Sequence, residues 1–95
     1  MPLRHATLHQ LRIFPVLARH LNMTRAAEEL HLTPAALSIQ VKQLAESVGL
    51  PLHEQIGKRL FLTEAGRLVD AASRDILSRL DQLAADLAET QGLEC

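Results

Sequence analysis

Apolar residues recur along this chain in three stretches of helical period, then one stretch of alternation, then one long run of heptad type. Leu8, Leu11, Phe14, Ala18 and Leu21, with Leu17 beside them, predict a first helix and its buried stripe. Thr7 and Gln10 have the spacing of a capping box, so this helix is expected to begin at Thr7. Pro15 falls inside it, removing one backbone hydrogen bond and crowding the Leu11 carbonyl, at ~3 kcal/mol if the helix stayed straight. A kink is therefore expected there.

A second helix is expected to be capped by Thr24, with Ala26, Ala27 and Leu30 facing inward. The turn reads His31-Leu32-Thr33, with Leu32 filling the angle between helices. Thr33 followed by Pro34 is a start signal: an oxygen that caps free amides, then a ring already set at helical φ. In the third helix Leu37, Val41, Leu44 and Val48 form the core side, and Ala35, Ser38, Ile39, Lys42 and Gln43 the opposite one. Gly49 ends it. Leu52, Glu54 and Ile56 before Gly57-Lys58, and Leu60 and Leu62 after it, then alternate as a two-stranded hairpin.

Thr63 should cap a last helix of about 25 to 30 residues. Along it Val69, Ser73, Ile76, Leu80, Leu83, Leu87 and Thr90 fall alternately four and three apart, a coiled-coil register marred at Ser73 and Thr90. Such a seam calls for a partner helix, most simply from a second copy of the chain.

Ninety-five residues with 47% apolar content suit one small domain with an appended element, and two aromatics, Phe14 and Phe61, leave the core to aliphatic side chains. No run approaches the roughly 18 apolar residues of a membrane span, and no secretory leader is present, so a cytoplasmic location is expected. The single cysteine, Cys95, excludes an internal disulfide framework and reads as an inert tail thiol. The net charge of −1 is divided unevenly: +3 up to Thr63, where all five histidines also lie, and −4 from Glu64 onward. A basic body with an acidic final helix suits a protein whose body meets phosphate while its tail points away.

Two helices across a short turn, the second with small, polar and basic residues on its outer flank, are how a helix-turn-helix presents a rod to the major groove. Thr33 and Ser38 can donate to phosphate or base, the helix amides attract a phosphate oxygen, and Lys42 and Gln43 reach phosphate or a purine edge. Ile39 reads equally as a contact for thymine methyls or as an ordinary exposed aliphatic. Lys58 and Arg59 at the hairpin tip suit the backbone or the minor groove, against the plainer reading of a solvated turn. Arg25 could also meet phosphate. Catalysis is not expected: His5 and His9 lack a third metal ligand, and neither a nucleophile with its base nor a phosphate-binding glycine loop occurs. No cofactor and no metal are expected.

The segments Thr24-Arg-Ala-Ala-Glu-Glu-Leu-His-Leu-Thr, Ala36-Leu-Ser-Ile-Gln-Val-Lys-Gln-Leu, Gly49-Leu-Pro-Leu and Leu62-Thr-Glu-Ala-Gly, in this order and spacing, resemble the amino-terminal DNA-binding region of LysR-type bacterial transcriptional regulators. The resemblance spans nearly the whole chain. Val41-Lys-Gln-Leu and Glu54-Gln-Ile-Gly-Lys-Arg further resemble the branch controlling carbon-dioxide-fixation operons.

It implies an all-α winged helix-turn-helix over 1–62 with a small hairpin wing, and a linker or dimerisation helix over 63–95. Its partners would be double-stranded promoter DNA and a second copy of the chain, with a higher oligomer for the full-length protein. It places DNA contacts on Thr33, Pro34, Ala35, Ser38, Ile39 and Lys42 or Gln43, with Lys58 and Arg59 on the wing; Thr24 and Arg25 at the start of the second helix join these as candidate DNA contacts, and the heptad positions Val69, Ile76, Leu80, Leu83 and Leu87 are the candidate dimer contacts. Many members have Gln-Pro at Pro34-Ala35, arginine at Ile39, phenylalanine at His53 and glutamate near Pro15. The effector-binding domain of about 200 residues is not in this chain, which is therefore expected to be a truncated regulator, with any small-molecule effector acting only through that domain. The alternative from another class is a helical protein-interaction module that does not bind DNA.

Overall fold

The computed structural model describes residues 3–91. After one 3-10 turn at Leu3–His5 come α1 (Leu8–His20), α2 (Met23–Leu30), α3 (Pro34–Val48), β1 (His53–Ile56), β2 (Arg59–Leu62) and α4 (Glu64–Thr90). The fold is the expected winged helix-turn-helix, mostly helical with one antiparallel hairpin. Cys95, at the end of the expected 63–95 unit, lies outside the described residues.

The helix starts follow side-chain chemistry. Thr7 Oγ1 accepts from the Gln10 amide at 3.1 Å while Gln10 Oε1 accepts from the Thr7 amide at 3.1 Å, the reciprocal capping box. Thr33 Oγ1 accepts from the Ala36 amide at 3.0 Å, and Thr63 Oγ1 from the Gly66 amide at 3.0 Å. Thr24, however, caps nothing. Asn22 Oδ1 accepts from the Arg25 amide at 2.9 Å, so α2 starts at Met23 and Thr24 is its second residue. The cause lies upstream: Leu21 takes a left-handed conformation (φ 50°), turning the chain at once and delivering an extended Asn22 to the cap.

The hairpin pairs Ile56 with Arg59, leaving a two-residue turn, Gly57-Lys58. Gly57 has φ 61°, the left-handed value that the first position of such a tight turn takes and that glycine adopts without strain.

The core joins Ile13, Phe14 and Leu17 of α1, Ala26 and Ala27 of α2, Leu37, Val41, Leu44 and Val48 of α3, and Leu52 and Leu60 around the wing. The apolar positions of the α3 side are buried as expected, with Ser47 buried beside them; the α1 stripe differs. Leu8 and Leu21 are exposed, Leu11 is only partly buried, and Ile13 and Gln10 are buried in their place. α1 is gripped from two directions, by α2 and α3 and by α4, so its buried surface is wider than one stripe. It runs unbroken through Pro15.

The first half of α4 lies against α1, with Val69 packed on the core and Ser73 fully buried. Ser73 interrupts the heptad seam and is fully buried by its own chain; its Oγ has no hydrogen-bond partner among the described residues. From Asp81 to Gln91 every residue is exposed.

A carboxylate clamp joins α1 to α2. Glu29 accepts from both terminal nitrogens of Arg19, at 2.9 and 2.7 Å, and its Oε1 lies 2.7 Å from His20 Nε2. These hydrogen bonds, Arg19 first, lower the Glu29 pKa to about 2. A carboxylate depressed on folding stabilises in full above its unfolded value, ~4.3, and that contribution disappears as pH falls through the folded value. Melting temperature followed across that acid interval is therefore expected to fall more steeply for the native chain than for Glu29→Gln. Parallel acid limbs would show that the clamp contributes nothing.

Candidate nucleic-acid interface

The outer flank of α3 is bare. Ala35, Ser38, Lys42 and Gln43 are exposed and Ile39 is 55% exposed, so the side chains read as non-core stand together on one solvent-facing surface. Positions 35, 38, 39 and 42 follow the three-and-four spacing of one helix face, and Gln43 lies on its shoulder. Because each inward residue (Leu37, Val41, Leu44) is fully buried, the rod cannot roll; the outward set is fixed by the core.

At the α3 start, Pro34 has no amide hydrogen, the Ala36 amide is held by Thr33 Oγ1, and the Leu37 amide by the Thr33 carbonyl at 3.0 Å. That leaves the Ala35 amide, with the positive end of the helix dipole behind it, to meet an anion. The Thr33 hydroxyl accepts within the cap and keeps its own hydrogen to donate outward.

Thr24 and Arg25 are exposed on the first turn of α2, and Lys58 and Arg59 are exposed at and beside the wing tip. Among the described residues the ion pairs are Arg19–Glu29, His20–Glu29 and Arg74–Asp70, so none of Arg25, Lys42, Lys58 and Arg59 is neutralised by a carboxylate. A cation without a partner on a bare helix or turn keeps its full attraction for phosphate.

The expected dimer residues divide. Val69 is partly buried against the domain's own core, whereas Ile76, Leu83 and Leu87 are 43%, 46% and 53% exposed. Leu80 is partly buried, and with Ile76, Arg79 and Leu83 it lines a shallow apolar hollow on α4.

Sequence reading missed the side chain behind the α3 flank. Gln10, 5% exposed, donates through Nε2 to Oε1 of Gln40 at 3.3 Å and of Gln43 at 3.4 Å. Its place in the capping box was legible, but no local pattern signals a contact 33 residues away. Among the described residues no group of three or more His, Cys, Asp or Glu could hold a metal. No helix among them is long and apolar enough to cross a membrane.

A capped helix with a bare polar flank, braced by a shorter helix across a tight turn and followed by a basic-tipped hairpin, defines a winged helix-turn-helix domain of the DNA-binding class. The chain belongs to the LysR family of bacterial regulatory helix-turn-helix proteins, whose pattern its residues 8–67 match. It is 61% identical over 94 residues to the RuBisCO operon transcriptional regulator of Acidithiobacillus ferrooxidans, covering 99% of this chain and 30% of that protein. It is 50% identical over 92 residues to the transcriptional activator CmpR of Synechocystis, covering 97% of this chain and 30% of the relative. The chain thus spans about 30% of the length of these relatives. The BenM DNA-binding domain, solved with benA site 1 DNA, superposes with a TM-score of 0.83 at 26% identity, covering 90% of this chain and 96% of that one.

Proposed function

We propose that this chain binds duplex DNA sequence-specifically as a homodimer, and that it directs a transcriptional regulator to promoters of carbon-dioxide-fixation genes in the bacterial cytoplasm. The observation that carries the reading is the α3 flank: small, polar and cationic groups held outward by a fully buried opposite side. In this reading Ser38, Ile39 and Gln43 meet base edges, and Thr33, Ala35 and Lys42 meet base or phosphate. Pro34 sets the start of the rod, and Thr24 and Arg25 flank it. Lys58 and Arg59 hold the backbone or the minor groove. The acidic second half of α4 repels phosphate and stays clear of the duplex. The chain itself performs no catalysis and needs no cofactor, and an effector is sensed elsewhere in the longer protein. The carbon-fixation assignment rests on the RuBisCO operon relative and on the match around Val41–Leu44 and Glu54–Arg59.

Titration into labelled duplex at several salt concentrations tests this. Affinity should fall steeply as salt rises, because each phosphate contact releases a counterion. Arg59→Ala should weaken binding to all sequences alike and reduce the salt slope by about one per wing engaged, whereas Ile39→Ala should alter base preference. An unchanged affinity and slope in Arg59→Ala would remove the wing from the interface. No binding at any salt, with a stable oligomer present, would make the chain an assembly module instead.

A further inference from the structure

We infer that buried Gln10 sets the polarity with which Gln43 reads DNA, drawing its oxygen inward and presenting its NH2 as the leading group. The inference deepens the DNA-reading role of α3 proposed above and rests on it.

A glutamine amide has two faces, an accepting oxygen and a donating NH2, which are free to exchange places unless a partner fixes them. Gln10 is fixed by a partner of known sign. The Thr7 backbone amide can only donate, and it is 3.1 Å from Gln10 Oε1, so the oxygen must face Thr7. Gln10 Nε2 must then face α3, where its two hydrogens meet the Oε1 atoms of Gln40 at 3.3 Å and Gln43 at 3.4 Å. Both bonds are long, but Gln10 is 5% exposed and its NH2 would otherwise lose water without a replacement. Turning either α3 amide over would set NH2 against NH2.

The consequence appears on the exposed shoulder of α3. Gln43 turns its oxygen toward Gln10, which takes one of its two lone pairs, and so leaves its NH2 as the group foremost on the outer side. A free glutamine recognises adenine with both groups at once, accepting from N6 and donating to N7. With its oxygen drawn to the α1 side, a tethered Gln43 is poorly placed to bring both groups to one adenine edge. It fits guanine, whose N7 and O6 both accept, or the O4 of thymine. The backbone start of α1, through Thr7 and Gln10, thus determines which base edge α3 favours, although Gln10 touches no DNA; Gln10 is a positioning residue.

The test is selection of bound duplexes from a randomised pool by the native chain and by Gln43→Ala, Gln10→Glu and Gln10→Met. The position whose preference vanishes in Gln43→Ala is the one Gln43 reads, and the native chain should favour guanine or thymine there. Glutamate keeps the capping box, since its oxygen still accepts from Thr7, but offers oxygen instead of NH2 to Gln43. The Gln43 amide should turn over, and preference at that single position should move toward adenine or cytosine by about fivefold or more, other positions unchanged. Gln10→Met, of similar size and without polarity, should admit adenine there and decides the matter should Gln10→Glu fail to fold. Adenine or cytosine already favoured by the native chain, a Gln43→Ala profile identical to the native one, or Gln10 variants that leave that position unmoved would each overturn the inference. Selection of no sequence at all by the native chain would instead overturn the DNA-reading role, and the inference with it.

Discussion

Replacing Gly66 with alanine is expected to destabilise the domain by about 3 kcal/mol or more, against the usual sign of such a change. In a helix, glycine to alanine ordinarily stabilises by up to ~1 kcal/mol. Gly66 is buried in the first turn of α4, and a Cβ built there would lie 2.0 Å from the carbonyl oxygen of Leu52. That oxygen belongs to backbone and cannot rotate aside. It also accepts from the Thr63 amide at 3.1 Å, while Thr63 Oγ1 donates to the Pro51 carbonyl at 2.7 Å. Making room for one methyl means parting the start of α4 from residues 51 and 52, breaking both bonds and unseating Leu52, which is 1% exposed. Since ~1 kcal/mol shifts the melting temperature of a domain this size by about 4–8 °C, a loss of roughly 12 °C or more is expected in a thermal melt. A variant melting at or above the native temperature would show that this junction yields freely.

That junction also shows what the sequence can and cannot say. Thr63 was legible as a cap, as were Thr7, Thr33, Gly49 and the Gly57-Lys58 turn, because each acts on amides or torsions within a few residues of itself. The exposed α3 flank was legible for a related reason: the spacing of Leu37, Val41, Leu44 and Val48 dictates which side is buried. What escaped depends on distant partners. Nothing near Leu21 announces its left-handed turn, so local spacing points to Thr24 where Asn22 supplies the cap. Ile13 and Gln10 are buried only because α1 serves two neighbours. In α4 two periodic demands overlap: Val69 and Ser73 satisfy contacts within the chain, and Ile76, Leu83 and Leu87 are left over. The heptad pattern sums both and could not be divided before the contacts were known.

The leftover residues carry the second large effect, and Leu83→Asp is expected to produce monomers. α4 runs for 27 residues, roughly 40 Å at the helical rise. Past Leu80 none of its side chains is shielded by the rest of the chain. A helical segment with no packed face is marginal in water, yet this one presents Ile76, Leu80, Leu83 and Leu87 at four-three-four spacing. Pairing with the same segment of a second copy would bury that row and explain why it is apolar. Aspartate at position 83 then places two carboxylates, one from each copy, in the seam, where losing hydration costs several kcal/mol. Leu83 is remote from the α1–α3 core, so that core should melt as before while sedimentation reports a single chain. Two recognition helices joined in one particle bind paired half-sites with avidity about 10²–10⁴ above a single one. Affinity for a two-fold site should fall by that factor in Leu83→Asp, while affinity for an isolated half-site stays level. A sedimentation profile identical to the native one would remove α4 as the dimer seam, and a loss equal on both kinds of site would mean that position 83 acts on the domain rather than on its pairing.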